Sequence, residues 1–264
     1  MKPAKEYVIL SVNEDAAYKT ESGIFIRADL GSSFENMIQY GYVEVAPSES
    51  GLNIGDKVYF CHILKDDGHQ NYNYDIPEVK HKAYVIEKGT KDSRTGWDRW
   101  IFATEKDGEL IPYRNQSICL PIKRKHELFE YEENEPNLVE VVSSNLFSGV
   151  VIKAEDGDLD VEGMPYQFIH KDHILGTYKD GVAEPVDGQT FIKPLDESDY
   201  QLHGNIWIQS KYTAPKGYGE VISSTHPELK SGDKVVHFKT SFKRIEIGDN
   251  TFYSTQNDKI IAKL

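Results

Sequence analysis

Residues 40–60 read YGYVEVAPSESGLNIGDKVYF, and residues 218–238 read YGEVISSTHPELKSGDKVVHF. Both begin Tyr-Gly, continue through a short alternating stretch and a turn, and then run Leu-x-x-Gly-Asp-Lys-Val toward a phenylalanine. Gly41 matches Gly219, Leu52 matches Leu229, and Gly55-Asp56-Lys57-Val58 matches Gly232-Asp233-Lys234-Val235, with one residue of slippage between them. Upstream, Pro3 precedes Val8-Ile9-Leu10 as Pro185 precedes Thr190-Phe191-Ile192. Gly-Asp is turn chemistry, supplying a left-handed residue and a side-chain acceptor for the local backbone. A glycine inside a strand, as at Gly41 and Gly219, signals a bulge or a close backbone approach.

Outward from these copies, short runs rich in Val, Ile, Tyr and Phe alternate with turn clusters, from Tyr7–Val12 through Arg99–Ala103 to Lys259–Leu264. Many short strands at regular spacing predict an all-β protein of barrel or sandwich type. Helical periodicity is nearly absent; the best candidates are Arg124–Tyr131 and Gly31–Tyr40. The expected organisation is two β-barrel units: residues 1–180 and the compact 181–264. The first unit carries extra length. Either about 66–162 is a β-rich insertion, or an incomplete third repeat lies in the middle; the insertion is the reading adopted. Glu130–Glu135, followed by Pro136, reads as an acidic surface connector.

The net charge of −13 opposes phosphate backbones and anionic membranes, so neither nucleic acid nor membrane is an expected partner. Two cysteines, Cys61 and Cys119, suit reduced intracellular thiols. The start MKPAKEYVIL has too short an apolar run for a signal peptide, and a cytoplasmic location follows as the expectation.

The ordered set of motifs resembles the GroES co-chaperonin family. In the second unit it spans Glu184-Pro185, Phe191-Ile192-Lys193, Gly204-Asn205-Ile206-Trp207-Ile208, Gly219-Glu220-Val221, Gly232-Asp233-Lys234-Val235 and Asp258-Lys259-Ile260-Ile261-Ala262. In the first it covers residues 1–60 and one later hairpin. The resemblance implies tandem GroES-like barrels and a ring-forming partner of an ATP-driven chaperonin. It also implies a loop with a small apolar motif that docks on that chaperonin. The corresponding positions are Gly23, Ile24, Phe25 and Ile26, with Asn205, Ile206, Trp207 and Ile208 as the second-unit equivalent. Each follows a polar run, Asn13–Ser22 or Asp196–Asn205, whose composition suits ordering by a partner. Phe25 and Trp207 resemble the aromatic anchors that dominate interface energies. Equally, Gly-Ile-x-Ile reads as an ordinary strand with both isoleucines on one face.

The departures from the family are informative. Ser48-Glu49-Ser50-Gly51 and Thr225-His226-Pro227 are too short for the roof hairpin the family inserts there, a feature resembling virus-encoded members. Whole two-unit chains cannot fill a ring with an odd number of positions.

Catalytic and metal chemistry is not expected, and no cofactor is implied. Zinc-dependent dehydrogenases share a GroES-like domain, but Cys61-His62 lacks ligand spacing and Gly217-Tyr218-Gly219 lacks the third glycine of a dinucleotide loop. His170-Lys171-Asp172-His173 reads as a polar turn before a strand. Asp156–Glu162 has alternating acids, but Val161 stands where a calcium loop needs glycine. Trp97-Asp98-Arg99-Trp100, read as strand, puts its tryptophans on opposite faces. Lys123-Arg124-Lys125 reads as a solvated turn. The expectation is a non-enzymatic co-chaperonin, virus- or phage-encoded and acting in the host cytoplasm. The alternative is a structural β-barrel protein of a virion or tail that keeps the fold without the partner.

Overall fold

The structure is a computed structural model describing residues 6–12, 17–19, 25–27, 40–60, 73–74, 76–89, 96–125, 132–154, 158–160, 165–194, 200–203, 206–209, 217–238, 242–248 and 250–264. Strands dominate, and the described helix is one α-helical turn, α1 (Trp97–Trp100), with a few 3-10 turns. The chain is all-β.

Three antiparallel sheets carry it. The first uses β1 (Tyr7–Val12), β4 (Tyr40–Val45), β5 (Lys57–Phe60), β6 (Asn73–Tyr74), β7 (Lys82–Glu87), β8 (Ile101–Lys106) and β9 (Glu109–Pro112). Between β1 and β4 the chain makes a separate two-stranded sheet from β2 (Ala17–Lys19) and β3 (Phe25–Arg27). The second sheet uses β10 (Gln116–Lys125), β11 (Glu132–Ser144), β12 (Gly149–Lys153), β13 (Asp158–Asp160), β14 (Gln167–His170), β15 (Ile174–Lys179) and β16 (Val182–Pro185). The third follows with β17 (Gln189–Pro194), β20 (Tyr218–Ser224), β21 (Lys234–His237), β22 (Phe242–Ile247), β23 (Asn250–Gln256) and β24 (Ile260–Lys263). Its own excursion, β18 (Tyr200–His203) and β19 (Ile206–Gln209), again forms a separate pair.

The spatial orders are β6-β7-β1-β4-β5-β8-β9, β13-β14-β10-β11-β12-β15-β16 and β22-β23-β17-β20-β21-β24. Lettered by chain order within each sheet, the two excursions aside, all three read d-e-a-b-c-f, and the first two add a strand g. The irregularities repeat as well. Register shifts between Ile9 and Leu10 in the first a–b pair and between Phe191 and Ile192 in the third. It shifts at the end of every c strand, so that Ile101 faces Phe60, Ile174 faces Lys153 and Ile260 faces His237. A short helical turn precedes each f strand: α1, Lys171–His173 and Asn257–Lys259.

Each f–g hairpin closes on Asp-Gly, with φ of 53° and 83° at Asp107-Gly108 and 51° and 82° at Asp180-Gly181. Two consecutive left-handed residues match the twist of the strands they join, which is why Asp-Gly suits a two-residue hairpin.

Segment 66–162, expected as an insertion, is divided between two sheets. Strands β7, β8 and β9 complete the first; β10 to β13 belong to the second, whose strand order repeats that of the other two. Barrel closure, the other expectation, is absent: none of the three sheets closes on itself. Two smaller expectations are also corrected. Arg124 and Lys125 continue β10 rather than opening a helix, and Glu132–Glu135 begin the long strand β11 rather than a connector. Glu135 is buried, its carboxylate 3.6 Å from the Arg124 guanidinium, so an opposite charge across the strand pair accompanies its burial. Tyr40 opens β4, whereas residues 31–39 of the second helix candidate lie outside the described residues.

By packing, the chain separates into two compact units: Met1–Ile118 with Ser143–Leu146 and Leu159–Lys171, and Cys119–Val142 with Phe147–Asp158 and Asp172–Leu264. The core of the first gathers Leu10, Phe60, Trp97, Phe102, Ile118 and Phe168. In the second, Ile152, Leu175, Phe191, Ile245 and Phe252 form one cluster, and Ile192, Val221, Val235 and Tyr253 another. Among the described residues no helix is long and apolar enough to cross a membrane.

Candidate functional site

The sequence motifs at 23–26 and 205–208 fall on the two excursions between strands a and b. Phe25 and Ile26 lie in β3, paired with Lys19 and Tyr18 of β2. Ile206, Trp207 and Ile208 lie in β19, opposite His203, Leu202 and Gln201 of β18. Gly23, Ile24 and Asn205 lie outside the described residues. The polar runs before the motifs therefore contribute strands of their own, Ala17–Lys19 and Tyr200–His203, a correction to their reading as structureless lead-ins. A signal for this was present: Gly204-Asn205 separates the paired His203 and Ile206 by two residues, a common hairpin-loop composition.

The excursions leave and rejoin their sheets in the same way. Each follows the a strand and returns into the b strand beside a glycine. A Cβ at Gly41 would stand 2.9 Å from Val12 Cγ2 and 3.0 Å from the Ser11 carbonyl oxygen; at Gly219 it would stand 2.8 Å from the Lys193 carbonyl oxygen. Only glycine lets the returning strand approach so closely. The base of each excursion is thus pinned to the end of strand a.

Behind that base the b–c turn is rebuilt atom for atom. Gly55 (φ 90°) donates its N–H to the Val43 carbonyl at 2.7 Å, and Gly232 (φ 88°) donates to Val221 at 2.8 Å. The Asn53 N–H donates to Asp56 Oδ2 at 2.8 Å, and the Lys230 N–H to Asp233 Oδ2 at 2.7 Å. Lys263 Nζ also bridges Asp233 at 2.6 Å. The Lys263 hydrogen bond first, and then the Lys230 N–H, hold the Asp233 carboxyl below its ordinary range. In the first sheet a related brace joins b, c and f. Lys57 Nζ lies 4.7 Å from the Tyr40 ring centre and donates to Glu105 Oε2 at 2.8 Å, while Tyr59 Oη donates to the same oxygen at 2.6 Å. Those two hydrogen bonds, Lys57 first, pull the Glu105 carboxyl down. Burial opposes the Lys57 charge, but the Glu105 bond and the Tyr59 contacts together raise its pKa. Ser48–Ser50, where the family roof is missing, is a tight 3-10 turn closed by Gly51 at φ 75°.

The remaining candidates resolve as follows. Trp97 and Trp100 sit on a helical turn rather than a strand, and both are buried. The turn starts after Gly96, at φ 100°, and spacing of three on a helix brings both rings inward. Lys171–His173 is a 3-10 turn, with His170 Nδ1 2.8 Å from Arg99 Nη1. Asp158–Asp160 forms β13, and 155–157 and 161–164 lie outside the described residues. Among the described residues no group of three or more His, Cys, Asp or Glu side chains is arranged to hold a metal. Cys61 and His62 lie outside them, and burial pushes the Cys119 thiol up to about 12.

No protein-family model matches the chain, and no curated protein matches it.

Proposed function

We propose that the chain is a co-chaperonin built from tandem GroES-like units, which self-associates into a ring and caps a GroEL-like chaperonin through the β2–β3 and β18–β19 excursions. The observation that carries this reading is the recurrence of one device. In the first and third sheets, a two-stranded hairpin leaves between strands a and b and pairs with no other strand among the described residues. An isolated two-stranded hairpin is marginal in water and gains stability when a partner supplies the missing contacts. The Ile-x-Ile segments on it, Ile24-Phe25-Ile26 and Ile206-Trp207-Ile208, supply apolar anchors of the type found at interface centres. Binding that completes a marginal element is readily reversible, because ordering offsets part of the contact energy. ATP hydrolysis belongs to the partner in this reading, and the chain itself catalyses nothing. A phage-encoded protein acting in the host cytoplasm fits the missing roof hairpin.

A structural role in a virion or tail is the second reading, favoured by the open sheets. Co-sedimentation with a chaperonin, with and without ATP, separates the two. The co-chaperonin reading expects nucleotide-dependent binding that the double variant Ile24→Asp/Ile26→Asp abolishes. Folded wild type that binds none of several chaperonins would sink it in favour of the structural role.

A further inference from the structure

The f strands of the three sheets meet different surroundings. Phe102 and Leu175, each second in its strand, are 1% and 3% exposed, whereas Ile261 at the same place in β24 is 56% exposed. What covers the first two is visible. Phe102 stacks on Phe168 of β14 with ring centres 5.5 Å apart, in a cluster that includes Ile118 of β10. Leu175 shares its cluster with Phe191 of β17 and Phe252 of β23. Each f strand is therefore covered by strands a and e of the sheet that follows it in the chain.

The opposite end of the series is uncovered in the complementary way. Ile118 and Phe191, third in their a strands, are buried, while Ile9, third in β1, is half-buried. Ser254, which faces Phe191 across the a–e pair, is buried; Val85, which faces Ile9, is half-buried. Hydrogen bonding repeats the theme. Strand g completes the outer side of f in the first two sheets, with Ala103 opposite Pro112 and Gly176 opposite Pro185. In the third sheet β24 is the edge. Pro3 precedes Val8 with the same spacing as Pro112 before Ser117 and Pro185 before Thr190.

We propose that β24 is a docking surface for a second molecule of this chain. The second molecule's β1–β7 face covers Ile261, and its segment around Pro3 adds to the free edge of β24. The register set by the two internal junctions puts Ala262 opposite Pro3 and Lys263 opposite Lys2. Edge addition of an extended segment is a common recognition mode, in which main-chain bonds and apolar burial act together. The Lys263 charge is already matched by Asp233, at 2.6 Å, so Lys2 meets a neutralised neighbour. The contact is head-to-tail, so repetition closes a ring or grows a filament. With three equivalent sheets per chain, a closed ring holds a number of sheets divisible by three. The inference deepens the self-association half of the proposed function and does not depend on chaperonin docking.

Native mass spectrometry of the full chain tests it without any chaperonin. Wild type is expected at an integer multiple of 30.1 kDa. Ile261→Asp is expected at the single-chain mass with an unchanged circular dichroism spectrum. Ile54→Asp, at a residue 74% exposed elsewhere, should keep the wild-type mass. As an independent readout, Lys2→Cys/Lys263→Cys in a Cys61→Ser background should give disulfide-linked oligomers on oxidation, and neither single variant should. Wild type that stays a single chain at its highest soluble concentration overturns the proposal, as does Ile261→Asp that retains the wild-type mass. An intact oligomer that binds no chaperonin would count against the proposed function and leave this interface standing.

Discussion

Replacing Gly176 by alanine should destabilise the second unit strongly, although the change adds one methyl group. Gly176 lies in β15 opposite Pro185 of β16. A Cβ there would stand 2.4 Å from the Glu184 carbonyl oxygen and 2.6 Å from Phe191 Cζ. Its φ lies outside the left-handed region, so the penalty is steric rather than conformational. Neither neighbour can step aside cheaply. Glu184 is backbone in a paired strand, and Phe191 is 0% exposed with its ring centre 5.1 Å from that of Phe252. Overpacking of this kind costs about 1–3 kcal/mol, and the backbone clash puts Gly176→Ala at the upper end. At about 2–4 °C per kcal/mol for a domain of this size, the melting temperature should fall by roughly 6–12 °C. Differential scanning calorimetry on the wild type, Gly176→Ala, Phe191→Leu and the double variant supplies both the shift and the coupling. Phe191→Leu should cost less in the alanine background than alone, because it relieves the ring contact, with an interaction energy of about 0.5–3 kcal/mol. A Gly176→Ala melting temperature unchanged from wild type, or strict additivity in the cycle, would refute the packing of Phe191 on that glycine.

Other consequences are testable with simpler measurements. The Asp233 carboxyl is held below its ordinary value by Lys263 and the Lys230 N–H, so its contribution is full above about pH 4, the unfolded value, and is lost as pH falls through the lower folded one. Asp233→Asn should therefore lower the melting temperature near neutrality and lose that difference in strong acid, as a pH series of melts would record; a penalty constant with pH contradicts the pairing. The Cys119 thiol, pushed up to about 12 by burial, should resist a thiol reagent at pH 8 in a Cys61→Ser background and react on unfolding. Fast labelling of the native protein would contradict that burial. Thr190 Oγ1 is 2.6 Å from Ser224 Oγ and donates to Asn257 Oδ1 at 2.7 Å, while the equivalent positions of the first sheet are Val8 and Ala46. Thr190→Val should cost about 1–3 kcal/mol in urea melts by stranding Asn257, and adding Ser224→Ala should cost less than it does alone. An additive pair would show that the hydroxyls act independently.

Much of the strand pattern was legible because alternation and turn residues act locally. Gly-Asp in the b–c turn and the short Val- and Ile-rich runs led directly to strands b and c. Gly41 and Gly219 marked the close approaches that the backbone later revealed. The second sheet was harder to read, because it lacks both tags. Val139 occupies the register position of Gly41 and Gly219, and Ser144–Gly149 makes a shorter turn without Asp-Lys-Val. Its relationship to the others does survive at the f–g junction. IFATEKDGELIPYRNQS (101–117) and ILGTYKDGVAEPVDGQT (174–190) share Ile, Thr, Lys, Asp-Gly, Pro and Gln at matched positions, the residues that set the hairpin and the entry to the next strand a. Trp97-Asp98-Arg99-Trp100 misled because four residues cannot distinguish a helical turn from a strand by period. The hairpins carrying the candidate site were half visible: the Ile-x-Ile halves stood out, but Ala17–Lys19 and Tyr200–His203 were hidden by their polarity. Strand pairing uses backbone groups and makes little demand on side chains there.

The most direct test of the docking role is hydrogen exchange at the amides of Phe25–Arg27 and Ile206–Gln209, measured with chaperonin present, with and without ATP. The account predicts slowed exchange in both segments only when chaperonin and nucleotide are together, with the b–c turns at Gly55 and Gly232 unchanged. Exchange in both hairpins that is indifferent to the chaperonin, while protection appears elsewhere on the chain, would contradict it.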